Sequence, residues 1–243
     1  VKYFLIALQF LTILPVRIKS DIKEIHYAYS LLYFPIVGGL IGLVLSISAF
    51  LFGFLPDMVM AVIVLAISVI LTGGIHLDGF ADTCDGFYGN RSRDEILRIM
   101  RDSRVGVMGV IGIVMLLVFK FSLIAAVPKP LLIKSLIMMT TFARWSQALS
   151  CLISNYARSE GKGRFFMENV NKKDIIAGGI FTLLLFLLVI GIKGLLIFGT
   201  GLLITFLFVR YAKHKIGGMT GDTIGAVSEI AEVSIFLSVI LWN

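Results

Sequence analysis

Seven apolar runs with few or no charges, each close to the length that crosses a bilayer, constrain this chain more than any other feature of its sequence. A hydrocarbon core of about 30 Å needs about 20 helical residues at roughly 1.5 Å each. Runs of that order occupy positions 31–55, 58–75, 105–127, 131–153, 175–192, 195–209 and 224–242. Lipid offers the backbone no hydrogen-bond partner, so each run has to satisfy its own amides as a helix. The expected fold is all-α: a polytopic integral membrane helix bundle of about seven transmembrane helices. Pro56-Asp57, Pro128 to Pro130 and Lys193-Gly194 mark the tight turns between neighbouring runs. With 58% hydrophobic and 15% charged residues, a disordered or collagen-like chain is excluded. Cys84 and Cys151 are isolated, which excludes a disulfide scaffold and leaves the redox compartment open.

The stretch 1–16 carries an apolar run of about a dozen residues ending at Pro15, too short to cross alone. As a signal peptide it lacks a small-residue cleavage site over 11–16. It reads as an N-terminal interfacial or re-entrant helix. No internal repeat or separate soluble segment is visible, and residues 1–243 read as a single integral membrane catalytic domain.

The formal net charge of +7 would suit nucleic acid if it formed a surface stripe, but the basic residues fill the gaps between spans, so no nucleic acid partner is expected. Alternating the gaps between two faces gives one face residues 1–30, 76–104, 155–174 and 210–223, with 17 of the 22 Lys and Arg, Lys19 and Lys162 among them. The opposite face has Lys129, Lys134 and Lys193, while Lys120 and Arg144 lie inside spans. The positive-inside rule makes the richer face cytoplasmic, in the cell (cytoplasmic, or inner) membrane.

The chemistry concentrates where the second span meets that face, in the run from Gly73-Gly74-Ile75-His76 through Asp78-Gly79, Asp82 and Asp85-Gly86. Carboxylates at i, i+4 and i+7 fall within an arc of roughly 60° on one helix face. Three such anions repel and resist desolvation, and a divalent cation relieves both. An all-oxygen set favours a hard ion, and Mg²⁺ commonly takes a few carboxylates plus waters and substrate phosphates. Gly79 and Gly86 keep bulk from the carboxylates and would let a diphosphate approach. The plainer reading is that Asp-Gly pairs mark solvated turns.

Downstream, Arg91, Arg93, Arg98, Arg101 and Arg104 precede Gly106, Gly109 and Gly112. The last three arginines recur every third position on an expected helix opened by Ser92. Guanidinium groups suit phosphate oxygens, and Arg101 and Arg104, flanking Asp102-Ser103, are the candidates. The most N-terminal pair, Arg91 and Arg93, reads as topology anchors, and the plainer reading of the row pairs Asp94 with Arg98. Near the other end, Gly217-Gly218-Met219-Thr220-Gly221-Asp222 runs into Glu229 and Glu232 within the last span. Intramembrane carboxylates usually face the bundle interior at a site or pathway. Gly217, Gly221 and Gly225 serve either helix packing or a loop whose amides meet phosphate. Gly38 and Gly42 read as packing. Arg144 and Arg158 offer further positive charge to a substrate, and Arg144 is equally suited to neutralise Glu229 or Glu232. Of His26, His76 and His214, all expected at solvated or helix-end positions, only His76 has a functional neighbour, Asp78.

The run Gly73 to Gly86, then Met100-Arg-Asp-Ser-Arg-Val-Gly106, then Gly217 to Asp222 continuing to Glu232, resembles the cobalamin synthase family, the adenosylcobinamide-GDP ribazoletransferases. The resemblance extends to Gln9 through Pro15, Phe34-Pro35, Arg144-Trp145 and Tyr156-Ala-Arg158, and so covers nearly the whole chain. It implies a Mg²⁺-dependent transferase of the last steps of cobalamin biosynthesis. A hydroxyl of α-ribazole, or of its 5′-phosphate, attacks adenosylcobinamide-GDP and releases GMP. On that resemblance Asp78, Asp82, Asp85 and Asp222 hold metal, Asp82 or Asp85 is the base, and Arg101 and Arg104 bind phosphate. Asp102, Glu229 and Glu232 would orient these groups or hold a second metal, and Arg144, Arg158 and Gly221 would touch substrate. The lipid bilayer and other corrinoid-pathway enzymes are the implied partners. CDP-alcohol phosphotransferases form the nearest rival class; Asp82-Thr-Cys-Asp85-Gly86 imitates the start of their pattern, without the Ala-Arg that should follow. An ion-coupled transporter or channel built on Glu229 and Glu232 is the rival of another class.

Overall fold

The computed structural model describes residues 1–18, 21–161 and 163–242; Lys19 and Lys162, two of the basic residues counted above, lie outside them. The described residues form α-helices without strands: α1 (Lys2–Leu11), α2 (Ile25–Ser30), α3 (Phe34–Leu51), α4 (Asp57–Thr72), α5 (Ile75–Phe87), α6 (Arg93–Ile99), α7 (Val107–Ala126), α8 (Lys129–Ile153), α9 (Gly163–Met167), α10 (Lys172–Ile190), α11 (Lys193–Ile216) and α12 (Gly221–Trp242). A 3₁₀ turn at Leu31–Tyr33 joins α2 to α3. The chain is a membrane protein: among the described residues five helices are long and apolar enough to cross a bilayer, namely α2–α3 together, α7, α10, α11 and α12. The count rises to six if α4 and α5, bent by 90° at Gly73-Gly74, form one broken span. The expected seven is therefore not reached on length and composition. The remaining run is α8, which carries Lys129, Lys134 and Arg144 and many hydroxyls. It nevertheless runs antiparallel to α3 along its length, from Lys129 at the Gly53 carbonyl to Thr140 and Thr141 against Gly38.

Burial explains the difference. From Met138 to Cys151 every residue of α8 is buried, so this helix meets protein where α7, α10 and α11 meet lipid. The outer helices expose Val114, Leu184, Leu203 and Phe206, the apolar surface a bilayer covers. Inside, the hydroxyls of α8 satisfy themselves: Thr140 donates to the Leu136 carbonyl at 2.8 Å and Thr141 to that of Ile137 at 2.7 Å. Gly38 and Gly42 let α3 touch α8, since a Cβ at Gly42 would lie 2.6 Å from the Ile137 Cα. The N-terminal α1 is a short apolar helix, with Ile6, Ala7 and Leu11 buried.

The gaps assigned to the basic face meet at one end of the bundle. Arg93 donates to the Ile216 carbonyl at 3.0 Å and the Ala157 carbonyl at 2.7 Å, and Lys215 reaches the Gly89 carbonyl at 3.2 Å. Lys129 pairs with Asp57 at 3.4 Å, in the turn that follows α3 and among the sparser basic residues of the other end.

Candidate functional site

Two consecutive glycines in left-handed geometry, Gly73 (φ 63°) and Gly74 (φ 67°), end α4 and send α5 across it. We read α4 as membrane-spanning and α5 as lying across the bundle end. Asp78, Asp82 and Asp85 all stand on α5, as their spacing predicts. What they meet is α12. A Cβ on Gly79 would lie 2.6 Å from the Asp222 carbonyl oxygen and 2.8 Å from its Cα, so only glycine lets α5 cross α12 there. Asp78 and Asp82 flank that crossing. Gly79 thus admits a helix, and Gly86, whose Cβ would meet Met100 Cγ at 2.6 Å, admits a side chain; neither is left open for the diphosphate that the sequence suggested.

The start of α12 is fixed twice. Thr220 and Thr223 cap each other reciprocally, the Thr220 amide donating to Thr223 Oγ1 at 2.8 Å and the Thr223 amide to Thr220 Oγ1 at 3.2 Å. Just before it, residues 218–220 run parallel to residues 155–157, with the Ala157 amide on the Met219 carbonyl and the Met219 amide on the Asn155 carbonyl, both at 2.8 Å. That splice brings Arg158 to Asp222, which accepts from its Nη2 at 2.8 Å. Gly217 is the left-handed cap of α11 (φ 77°), Gly225 faces the His76 backbone, and Gly221 has open space where a side chain would stand.

Asp82 is the half-buried carboxylate of this group. Burial, then the Asp222 and Asp78 carboxylates, push its pKa up to about 7, against the pull of Arg158. Asp85 points elsewhere. Its two oxygens accept the amides of Gly106 at 2.7 Å and Gly109 at 2.8 Å, so it holds the N-terminus of α7. A Cβ on either glycine would lie 2.4 Å from that carboxylate, which accounts for both.

The expected arginine helix stops short. Ser92 does cap α6, accepting the Glu95 amide at 3.4 Å, but α6 ends at Ile99, so Arg101 and Arg104 lie on the loop beyond. Asp102 accepts the Arg104 amide at 3.0 Å, an Asx turn that breaks the helix, and takes its guanidinium in a fork at 3.0 and 2.7 Å. The hydrogen bonds from Arg104 hold the exposed Asp102 carboxyl down at about 2. Arg101 lines a surface hollow with Arg93, Arg98 and Arg158. Asp94 pairs with Arg93 at 3.1 Å, where Arg98 was expected.

Glu229 and Glu232 are buried in the bundle, and cations engage both. Lys120 of α7 bonds to both, at 2.5 Å for Glu232, and Arg144 of α8 reaches Glu232 at 3.1 Å and the Ser228 hydroxyl. The structure therefore brings Asp78, Asp82, Asp222 and Arg158 together and sets Glu229, Glu232 and Arg144 apart in a neutral group of four charges. Among the described residues no three His, Cys, Asp or Glu side chains are placed to close on one ion. The donor set still suits Mg²⁺ held jointly with substrate phosphates, since mutual repulsion leaves the carboxylates short of positive charge.

Beside these residues a cavity of about 250 Å³ runs inward from Asp78, Asp222 and Arg158 to His76 and Gln147. His76 stands at a helix end, the start of α5, and is buried there and not solvated. Gln147 escaped the sequence reading; its signal was a polar residue three places after Arg144 in the same span.

A family model for cobalamin-5-phosphate synthase matches residues 3–240. The chain is 38% identical over 231 residues to a protein of Acetivibrio thermocellus named adenosylcobinamide-GDP ribazoletransferase, covering 94% of this chain and 93% of that one. Proteins of the same name from Caldanaerobacter subterraneus and Clostridium novyi are 37% and 36% identical, covering 97% and 98% of this chain and 96% of each relative. No solved structure matches it.

Proposed function

The chain belongs to the cobalamin-5-phosphate synthase family, transferases of the last step of cobalamin synthesis, and we propose that it joins α-ribazole, or its 5′-phosphate, to adenosylcobinamide-GDP with Mg²⁺ and release of GMP. The observation that carries this reading is the meeting of Asp82 with Asp78, Asp222 and Arg158, the last three of which line an inward cavity. In the reaction the ribazole hydroxyl oxygen bonds to the phosphorus attached to cobinamide, the bond from that phosphorus to the GMP oxygen breaks, and the hydroxyl proton leaves. Asp82 takes that proton. Its pKa near 7 suits a base at neutral pH, whereas both Asp85 oxygens already accept amides.

Asp78 and Asp222 are the residues that would hold Mg²⁺, which supplies positive charge to the diphosphate. Arg158 keeps Asp222 in place and adds its own charge at the rim. Arg101 faces the leaving nucleotide, and Arg104 exchanges Asp102 for a phosphate oxygen when substrate arrives. The basic residues at this end of the bundle favour the cytoplasmic face of the cell membrane. Glu229 and Glu232, on which a transporter would rely, are neutralised by Lys120 and Arg144, which favours the transferase.

The test is release of GMP from adenosylcobinamide-GDP by purified protein with ribazole and Mg²⁺. Asp82→Asn should lower turnover by about 10²-fold or more, the usual worth of a general base. Turnover that needs no divalent ion, or that survives Asp82→Asn, overturns the proposal.

A further inference from the structure

Two side chains deep in the cavity lack partners that their burial demands. His76 is 3% exposed and Gln147 1% exposed, yet neither imidazole nitrogen of His76 nor Oε1 of Gln147 has a hydrogen bond within the protein. Buried polar atoms are nearly always paired, and leaving one unpaired costs on the order of 1–3 kcal/mol. Both residues line the same 250 Å³ space, far more than the roughly 10–15 Å³ that one water needs. The lining is also aromatic: Phe10, Phe34 and Phe166 share the cavity, with ring centroids 4.6 Å apart for Phe10 and Phe166 and 5.7 Å for Phe34 and Phe166.

We propose that this inner end of the cavity binds the planar aromatic base of the riboside nucleophile, its rings against Phe10, Phe34 and Phe166 and its unsubstituted ring nitrogen within reach of His76, with Gln147 beside it. The inference rests on the transferase reading, since ribazole is the riboside of a benzimidazole. The cavity's course supports it: with the base inside, the ribose lies toward Asp78, Asp222 and Arg158, where its hydroxyl is needed. Guanine fits less well. Its edge carries several donors and acceptors, more than two polar side chains between phenylalanines satisfy, whereas benzimidazole presents one acceptor on an otherwise apolar ring.

The experiment compares benzimidazole riboside with indole riboside, in which carbon replaces that ring nitrogen while the reacting hydroxyl is unchanged. Purified full-length protein should prefer the first by about tenfold or more in kcat/KM, because an indole leaves buried polar groups unpaired. His76→Leu should abolish the preference while leaving KM for adenosylcobinamide-GDP unchanged. Gly221→Val, which places a side chain in open space at the cavity wall, should raise KM for the riboside and gives a readout independent of His76. No preference in the wild-type protein, a preference that survives His76→Leu, or a Gly221→Val variant with unaltered riboside KM overturns the assignment of the base. Absence of turnover with any riboside overturns the transferase reading itself, and the base site with it.

Discussion

Replacing Lys120 by Met removes one of the two cations from the buried group that also holds Arg144, Glu229 and Glu232. The four side chains are between 1% and 10% exposed, so water screens them little. Breaking a buried pair from one side costs about 3–5 kcal/mol, chiefly because a charge stays behind without a partner. Here Glu232 keeps Arg144 at 3.1 Å and only Glu229 is stranded. The expected loss is therefore one such penalty and not two, about 3–5 kcal/mol, or roughly two to three and a half decades in the folding equilibrium at about 1.4 kcal/mol each. Lys120→Met combined with Glu229→Gln leaves Arg144 with Glu232 and no net charge, and should recover most of the loss. SDS-driven unfolding in mixed micelles measures this, with Trp145, adjacent to Arg144 and 6% exposed, as the fluorescent reporter. A single variant losing under about 1 kcal/mol, or a double variant no more stable than the single, refutes the reasoning.

Gly79→Ala puts a methyl against the Asp222 backbone, which cannot rotate away, and should cost about 1–3 kcal/mol in the same unfolding assay while lowering turnover. A neutral result would mean that α5 and α12 do not cross there. Arg158→Met removes the cation that lowers the Asp82 pKa, so the acidic limb of the pH–rate profile should move to higher pH; an unmoved limb rejects Asp82 as the base. Without metal Asp82 is protonated below about 7, and its ionised form adds negative charge beside the site that Asp78 and Asp222 would offer a dication. Mg²⁺ affinity, measured by calorimetry, should rise as pH climbs toward that value and level off above it. Affinity independent of pH from 5.5 to 8 speaks against Asp82 facing the metal.

Features that follow from local spacing were legible in the sequence. Asp78, Asp82 and Asp85 share one helix because a period of 3.6 puts them there, whereas the second run was carried to Ile75 and the structure ends α4 at Gly73-Gly74. Asp222 was expected to join them, and the crossing at Gly79 brings it. Most of what escaped depends on contacts between distant segments. The amides of Gly106 and Gly109 claim Asp85 only because α7 docks on α5. Asp102 bends its own backbone after α6, so a three-residue repeat of arginines is no helical row. The run that became α8 was legible too, and its polar side chains are tolerated because from Met138 to Cys151 it is buried in protein and its hydroxyls bond to their own helix.

Both anions that neutralise Lys120 and Arg144 belong to α12, the last helix of the described chain to leave the ribosome. During biosynthesis α7 and α8 thus carry lone cations until that helix follows them into the bilayer, and Asp78 and Asp82 wait for Asp222 over the same interval. Insertion of this one helix discharges the interior and completes the acidic constellation in a single event. A polypeptide stalled before α12 therefore holds buried cations without partners and lacks Asp222.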